Sequence, residues 1–152
     1  MKIRYFKQKH DDPAPLVDRV SRIVRFEEVD CLGIVWHGRY PSYFEDARVA
    51  VGDKYGVGYK DFHRHNVLAP IKKMHVDYSL PLRFQEEFEI RAAIVWSEAA
   101  RLNHEFVICN QNGDVAASGY SVQMFVDRSG EYMLTIPDFY ARFCARWKAG
   151  EL

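Results

Sequence analysis

Two periodicities divide the chain. Between residues 40 and 55, Tyr40, Phe44, Ala47, Val51 and Tyr55 recur at steps of three and four, the spacing of one helix face. Glu45, Asp46, Arg48 and Lys54 fall largely off that stripe. Pro41 opens the segment, where a missing N–H costs nothing, and Gly56 and Gly58 close it. From residue 70 onward the period is two. Met74, Val76 and Tyr78 share one side, as do Phe88, Ile90, Ala92 and Ile94. Leu102, His104, Phe106 and Ile108 form a third such row, and Tyr120, Val122, Met124 and Val126 a fourth. Asn112-Gly113 predicts a hairpin and Ser129-Gly130 a further turn. Pro137 then opens a short helix with Tyr140, Phe143, Cys144 and Trp147 at helical spacing. Upstream, "RIVRFEEV" (22–29) reads as a first strand. Residues 1–19, charged and carrying Pro13 and Pro15, read as an extended arm before a single domain, 20–152. Strand, long helix, antiparallel strands and closing helix predict an α+β layer architecture rather than a doubly wound sheet.

Composition narrows the classes of function. The 152 residues are 48% hydrophobic and 28% charged, which suits one soluble domain with a real core. Lys+Arg and Asp+Glu number 21 each, so the basic excess of a nucleic-acid binder is missing. Cys31, Cys109 and Cys144 form no CxxC pair, which argues against a zinc ribbon or a thioredoxin-like motif. The first residues lack the apolar run of a secretory signal, and no stretch has the apolar length of a membrane helix. The expected location is the reducing cytoplasm.

The candidate chemistry lies just before the long helix, in "DCLGIVWHGRYPSYFEDAR" (30–48). Asp-x-x-Gly stretches commonly close a strand, so Asp30 has a plain role as a turn residue. His37 and Gly38, however, reach the helix start, where unpaired N–H groups face outward. A carbonyl oxygen placed there is polarised by those N–H groups and the helix dipole. A carboxylate from the preceding strand could attack that carbonyl or activate a water to do so. His37 as a side chain has a weaker case, and Glu45 reads first as part of a solvated helix face. Other motifs fail on context. "GVGYKD" (56–61) has Asp61 where a dinucleotide loop needs glycine, and "GYSVQ" (119–123) lacks the second glycine of a nucleophile elbow. His63 and His65 have no further ligand at metal-binding spacing. Lys72 and Lys73 could meet a phosphate but read as solvated.

The stretch "VRFEEVDCLGIVWHGRYPSYFEDAR" resembles the signature of the 4-hydroxybenzoyl-CoA thioesterase-like hotdog proteins, in particular their acyl-CoA thioesterase branch. The matching positions are Asp30, Gly33, Ile34, Val35, Trp36, His37, Gly38 and Tyr40, with Phe44 a helical turn later. "VDYSLPLRFQEEFEI" (76–90) and "AASG" (116–119) are similar to the family as well, and the likeness runs over roughly residues 20–145. Val29 departs from a usual Thr or Cys, and Gln85-Glu86 from a usual Gly-Asp.

The resemblance implies a hotdog fold, an antiparallel sheet wrapped around the helix of residues 41–55. It implies hydrolysis of an acyl-CoA thioester with no cofactor and no metal. Asp30 would be nucleophile or general base, and the N–H of His37 would polarise the carbonyl. Gly33, Val35, Trp36, Tyr40 and Glu45 would contact substrate. Tyr40, Tyr43, Trp36 and the loop 59–66 would line the acyl end. The site would lie between subunits of a homodimer or homotetramer, with no nucleic-acid or membrane partner. Apolar side chains on both faces of the strands from 71 to 126 fit a second face buried against a partner. A hotdog β-hydroxyacyl dehydratase fits less well, since the proline-rich His segment is missing. A non-catalytic acyl- or carrier-binding protein leaves Asp30 without a task in an acyl pocket.

Overall fold

A computed structural model describes residues 5–152; residues 1–4 of the expected arm lie outside the described residues. Five antiparallel strands form one sheet: β1 (Leu16–Ile23), β2 (Ile71–Tyr78), β3 (Glu87–Val95), β4 (Arg101–Asn110) and β5 (Val115–Met124). Their spatial order is β1-β3-β4-β5-β2, so β1 and β2 are the edges. Helix α1 (Tyr40–Tyr55) packs on one face of this sheet, mainly against β1 and β3. Short α2 (Tyr59–Arg64) and closing α3 (Asp138–Lys148) complete the layer.

The α1 stripe expected from its spacing is buried, with Phe44, Ala47 and Val51 at zero exposure. Phe44 stacks on Phe106 of β4, ring centres 4.4 Å apart. Full burial of one such side chain contributes roughly 2–3 kcal/mol. The stack requires a bare position on β5. A Cβ at Gly119 would come within 2.7 Å of the Phe44 ring and 2.1 Å of the His75 carbonyl. Gly56 ends α1 in the left-handed conformation, φ 75°, with its N–H returned to the Gly52 carbonyl.

Several boundaries differ from the pattern-based expectation. β1 starts at Leu16, inside the stretch read as an arm, and stops at Ile23. Residues 26–28, expected as strand, form a 3-10 turn that buries Glu28. Its carboxylate accepts the Arg25 N–H at 2.8 Å, and the chain bends here rather than pairing. Residues 59–66 are not a simple loop, because Gly58 starts α2 there, whose Phe62 is buried. On β5 the row Tyr120, Val122 and Met124 faces away from α1. Cross-strand register sets Gly119 opposite Phe106 and Ser121 opposite His104, so small and polar residues face the helix.

That outer face is covered in part by the chain itself. Tyr5 and Phe6 lie against the Tyr120 ring, at 5.2 and 5.3 Å. Their main-chain N–H groups both donate to Glu105, and the Tyr5 hydroxyl bonds Asp77 at 2.7 Å. A partner is therefore not needed to cover this part of the second face.

Candidate active site at the start of the long helix

The turn between Glu28 and His37 is set by main-chain hydrogen bonds. Asp30 N–H donates to the Ile34 carbonyl at 2.9 Å, and Gly33 N–H to the Asp30 carbonyl at 3.0 Å. Gly33 takes φ 73°, a value that the Asp-x-x-Gly spacing serves. Trp36 N–H donates to the Glu28 carbonyl and Val35 N–H to Leu82, both at 2.9 Å. These bonds fix the chain up to Trp36 and release it into a 3-10 turn, His37–Arg39, that runs directly into α1. Among the described residues, no hydrogen bond engages the His37 N–H. The His37 carbonyl accepts the Tyr78 hydroxyl at 2.7 Å, which ties the helix start to the end of β2.

Asp30 is half-buried, and one carboxylate oxygen accepts the Leu32 N–H at 2.8 Å. The turn role is therefore real. It occupies Oδ1 and leaves Oδ2 without a partner among the described residues. Trp36 is 48% exposed with its ring 5.1 Å from His37, so both stand at the rim. Trp36 also lies over Gly38, where a Cβ would meet the indole at 2.4 Å.

The other expected site residues divide between rim and core. Gly33 is exposed in the turn. Val35 and Tyr40 are each 3% exposed and build the floor under the turn rather than its surface. Burial pushes the Tyr40 hydroxyl up to about 12. Tyr43, expected at the acyl end, packs on Phe88 in the core at 4.7 Å. Its hydroxyl sits beside buried Glu28 without closing a hydrogen bond, and burial first, then that carboxylate, raises its pKa. Glu45 is half-exposed and pairs with Arg48. His65 stacks flat on Phe139 at 4.5 Å, a packing role.

Three groups escaped the sequence reading. Glu28, Arg48 and His104 are 6%, 3% and 2% exposed, respectively. Arg48 was expected off the buried stripe. It is instead folded under α1, over the Phe106 ring at 5.4 Å, with Nη2 3.4 Å from the Ser121 hydroxyl. Burial, then the Arg48 charge, lowers His104 to about 3 and keeps it neutral. The only sequence signal for His104 was its place in an apolar row.

Residues 24–144 match the Thioesterase-like superfamily. The chain is 25% identical over 124 residues to "Putative acyl-CoA thioesterase YneP" of Bacillus subtilis, covering 79% of this chain and 90% of that protein. Its fold is similar to that of a DHNA-CoA thioesterase from Staphylococcus aureus, with TM-score 0.75, 21% identity and 90% and 96% of the two chains covered. It is similar also to a 1,4-dihydroxy-2-naphthoyl-CoA thioesterase from Synechocystis, with TM-score 0.73, 11% identity and coverage of 84% and 96%. The sheet wrapped on one long helix is thus a hotdog fold. Among the described residues, no helix is long and apolar enough to cross a membrane.

Proposed function

The chain belongs to the Thioesterase-like superfamily, and we propose that it hydrolyses acyl-CoA thioesters at the turn from Asp30 to His37. The observation that carries this reading is the pairing of a half-buried carboxylate with an unengaged N–H at a helix start, both positioned by one hydrogen-bonded turn. The thioester carbonyl oxygen lies against the His37 N–H, which strengthens its hold as negative charge develops there. Asp30, through its free oxygen, supplies the attack, directly or by taking a proton from water. The carbon–sulfur bond breaks, CoA leaves as thiolate and takes a proton, and water supplies the oxygen of the free acid. Trp36 and Gly33 flank the reacting group at the rim, and Glu45 faces it from the helix. The three free cysteines suit a reducing cytoplasm.

The working unit is a homodimer at least. β2 is an edge strand whose residues are mostly exposed, and one side of its main chain pairs with no other strand among the described residues. A second copy meeting this edge supplies the missing wall and places the site between subunits.

One experiment tests both parts. Asp30→Asn keeps the shape and the Leu32 contact while removing the charge. It should lower acyl-CoA turnover at least ~10²-fold, the scale of a lost general base, with the two-chain mass unchanged in light scattering. Near-normal turnover in this variant refutes the role of Asp30, and an active monomer refutes the shared site.

A further inference from the structure

The side of α1 that faces β2 has two defined ends. At one, the Tyr78 hydroxyl meets the His37 carbonyl and the Tyr78 ring packs on Tyr40 at 5.0 Å. At the other, Met74 of β2 stands opposite Ser121 of β5, which Arg48 reaches from the helix. Val76 and Met74, half-buried, lie between them on the same face. His37, Pro41, Glu45 and Arg48 follow one another at helical spacing along the facing side of α1. Tyr78, Val76 and Met74 thus lead along β2, beside α1, from the proposed reaction centre to a buried guanidinium. From His37 to Arg48 the helix rises about 16 Å at ~1.5 Å per residue, longer than a single aromatic ring.

The Arg48 end holds more hydrogen-bonding capacity than the protein uses. Among the described residues, Arg48 Nε and His104 Nδ1 are each buried with no partner. Ser121 is fully buried, its hydroxyl 3.4 Å from Nη2. The other guanidinium nitrogen pairs with Glu45 and lies 3.5 Å from the Tyr59 hydroxyl. Glu45 and Tyr59 are the exposed members, at 41% and 43%, and are the side chains free to move aside. Buried polar atoms are rarely left unpaired, and two such atoms on residues that both pack on Phe106 mark a place for an oxygen. Glu45 already supplies the counter-charge, so a second carboxylate would set two anions on one cation.

Resting on the acyl-CoA reading, we propose that Arg48, with His104 and Ser121, recognises an uncharged oxygen at the far end of an aliphatic acyl chain, a terminal hydroxyl being the simplest case. The Arg48 Nε–H donates to that oxygen, and the hydroxyl proton goes to Ser121 or His104. An unsubstituted chain leaves these groups unpaired.

The test compares ω-hydroxyacyl-CoA with the unsubstituted acyl-CoA of equal length across medium chain lengths, by steady-state kinetics on the full chain. The wild-type protein should favour the hydroxylated chain about tenfold in kcat/KM, the size of one hydrogen bond to a charged donor. The gain should sit in KM with kcat little changed, as for binding away from the reacting centre. Arg48→Met should reverse the preference, because a hydroxyl buried there without a partner is penalised. Glu45→Gln removes the charge paired with Arg48 and decides the matter should the Arg48 variant not fold, its rate on ω-carboxy chains being read against its own rate on the unsubstituted chain. It leaves Arg48 uncompensated and should admit ω-carboxyacyl-CoA that the wild type rejects. Equal or poorer use of the hydroxylated chain at every length, or Glu45→Gln without effect on ω-carboxy chains, overturns the proposal while the hydrolase reading stands. Failure to turn over any acyl-CoA overturns both.

Discussion

At the start of α1 the polar groups stand at the surface and are held by main-chain hydrogen bonds. About three helical turns on, around Arg48 and His104, they are sealed between helix and sheet and only partly paired. Asp30 is half-buried and His37 exposed, whereas Arg48 and His104 are 3% and 2% exposed. The first arrangement suits chemistry, because its donor is a backbone N–H whose position does not depend on a particular side chain. The second suits discrimination, because every donor there is a desolvated side chain that must find its one partner. Changes at the first should move turnover and spare stability, and changes at the second should do the reverse or alter selectivity.

The sharpest way to break this comparison is to delete the N–H itself. Trp36 has φ −59° and ψ 132°, a conformation that a following proline accepts. Residue 37 opens a 3-10 turn, a position that tolerates a missing N–H. His37→Pro therefore removes the donor without breaking the turn. Loss of one oxyanion donor costs about 10²–10³ in kcat, and the expected drop is of that size. His37→Ala keeps the N–H and should lose far less. Equal losses in kcat for the two variants would assign the role to the imidazole instead.

The buried region should answer to pH rather than to turnover. His104 titrates near 6.5 when unfolded and at about 3 when folded. Between those values the unfolded chain binds a proton that the folded chain does not, so stability rises with pH there. The contribution is complete above about pH 6.5 and is lost as the pH falls toward 3, with a limiting slope of roughly 1.4 kcal/mol per pH unit. Urea unfolding of wild type and His104→Gln across that window should show the limb in the first and its flattening in the second. Parallel curves would mean that the ring is hydrated in the native state.

The same contrast explains what the sequence made legible. The turn is local: Asp30, Gly33, Trp36 and Pro41 lie within a dozen residues, and each has a known positional effect on the backbone. The helix stripe and the rows on β3 and β4 were equally readable, since period fixes which residues share a side, whereas on β5 the bulky row turned out to face away from the helix. The Arg48–His104–Ser121 cluster is assembled by register. His104 faces Ser121 only because β4 pairs with β5 in that alignment, and Arg48 arrives from a third element. No window of sequence contains that meeting. Burial of Glu28 was missed for a related reason: its run looked like strand, and a capping contact to Arg25 turned it inward.

One departure from the resembled family acquires a physical meaning beside the proposed catalytic turn. Gln85, standing where glycine is usual, adopts φ 62°. Its N–H donates to the Val24 carbonyl at 3.0 Å, and nearby Arg83 bridges Ile34 of the turn between Asp30 and His37. The left-handed conformation costs a side-chain-bearing residue roughly 1–2 kcal/mol. Glycine removes that strain but adds freedom to the unfolded chain worth roughly 0.5–1 kcal/mol. Gln85→Gly should therefore stabilise the protein by about 0.5 kcal/mol, read as a higher denaturant midpoint at unchanged slope. Turnover should stay at the wild-type level, because the main-chain bonds that position the turn are kept. A fall in kcat with a gain in stability would instead mean that the strain at Gln85 is spent on holding Asp30 and His37 in register.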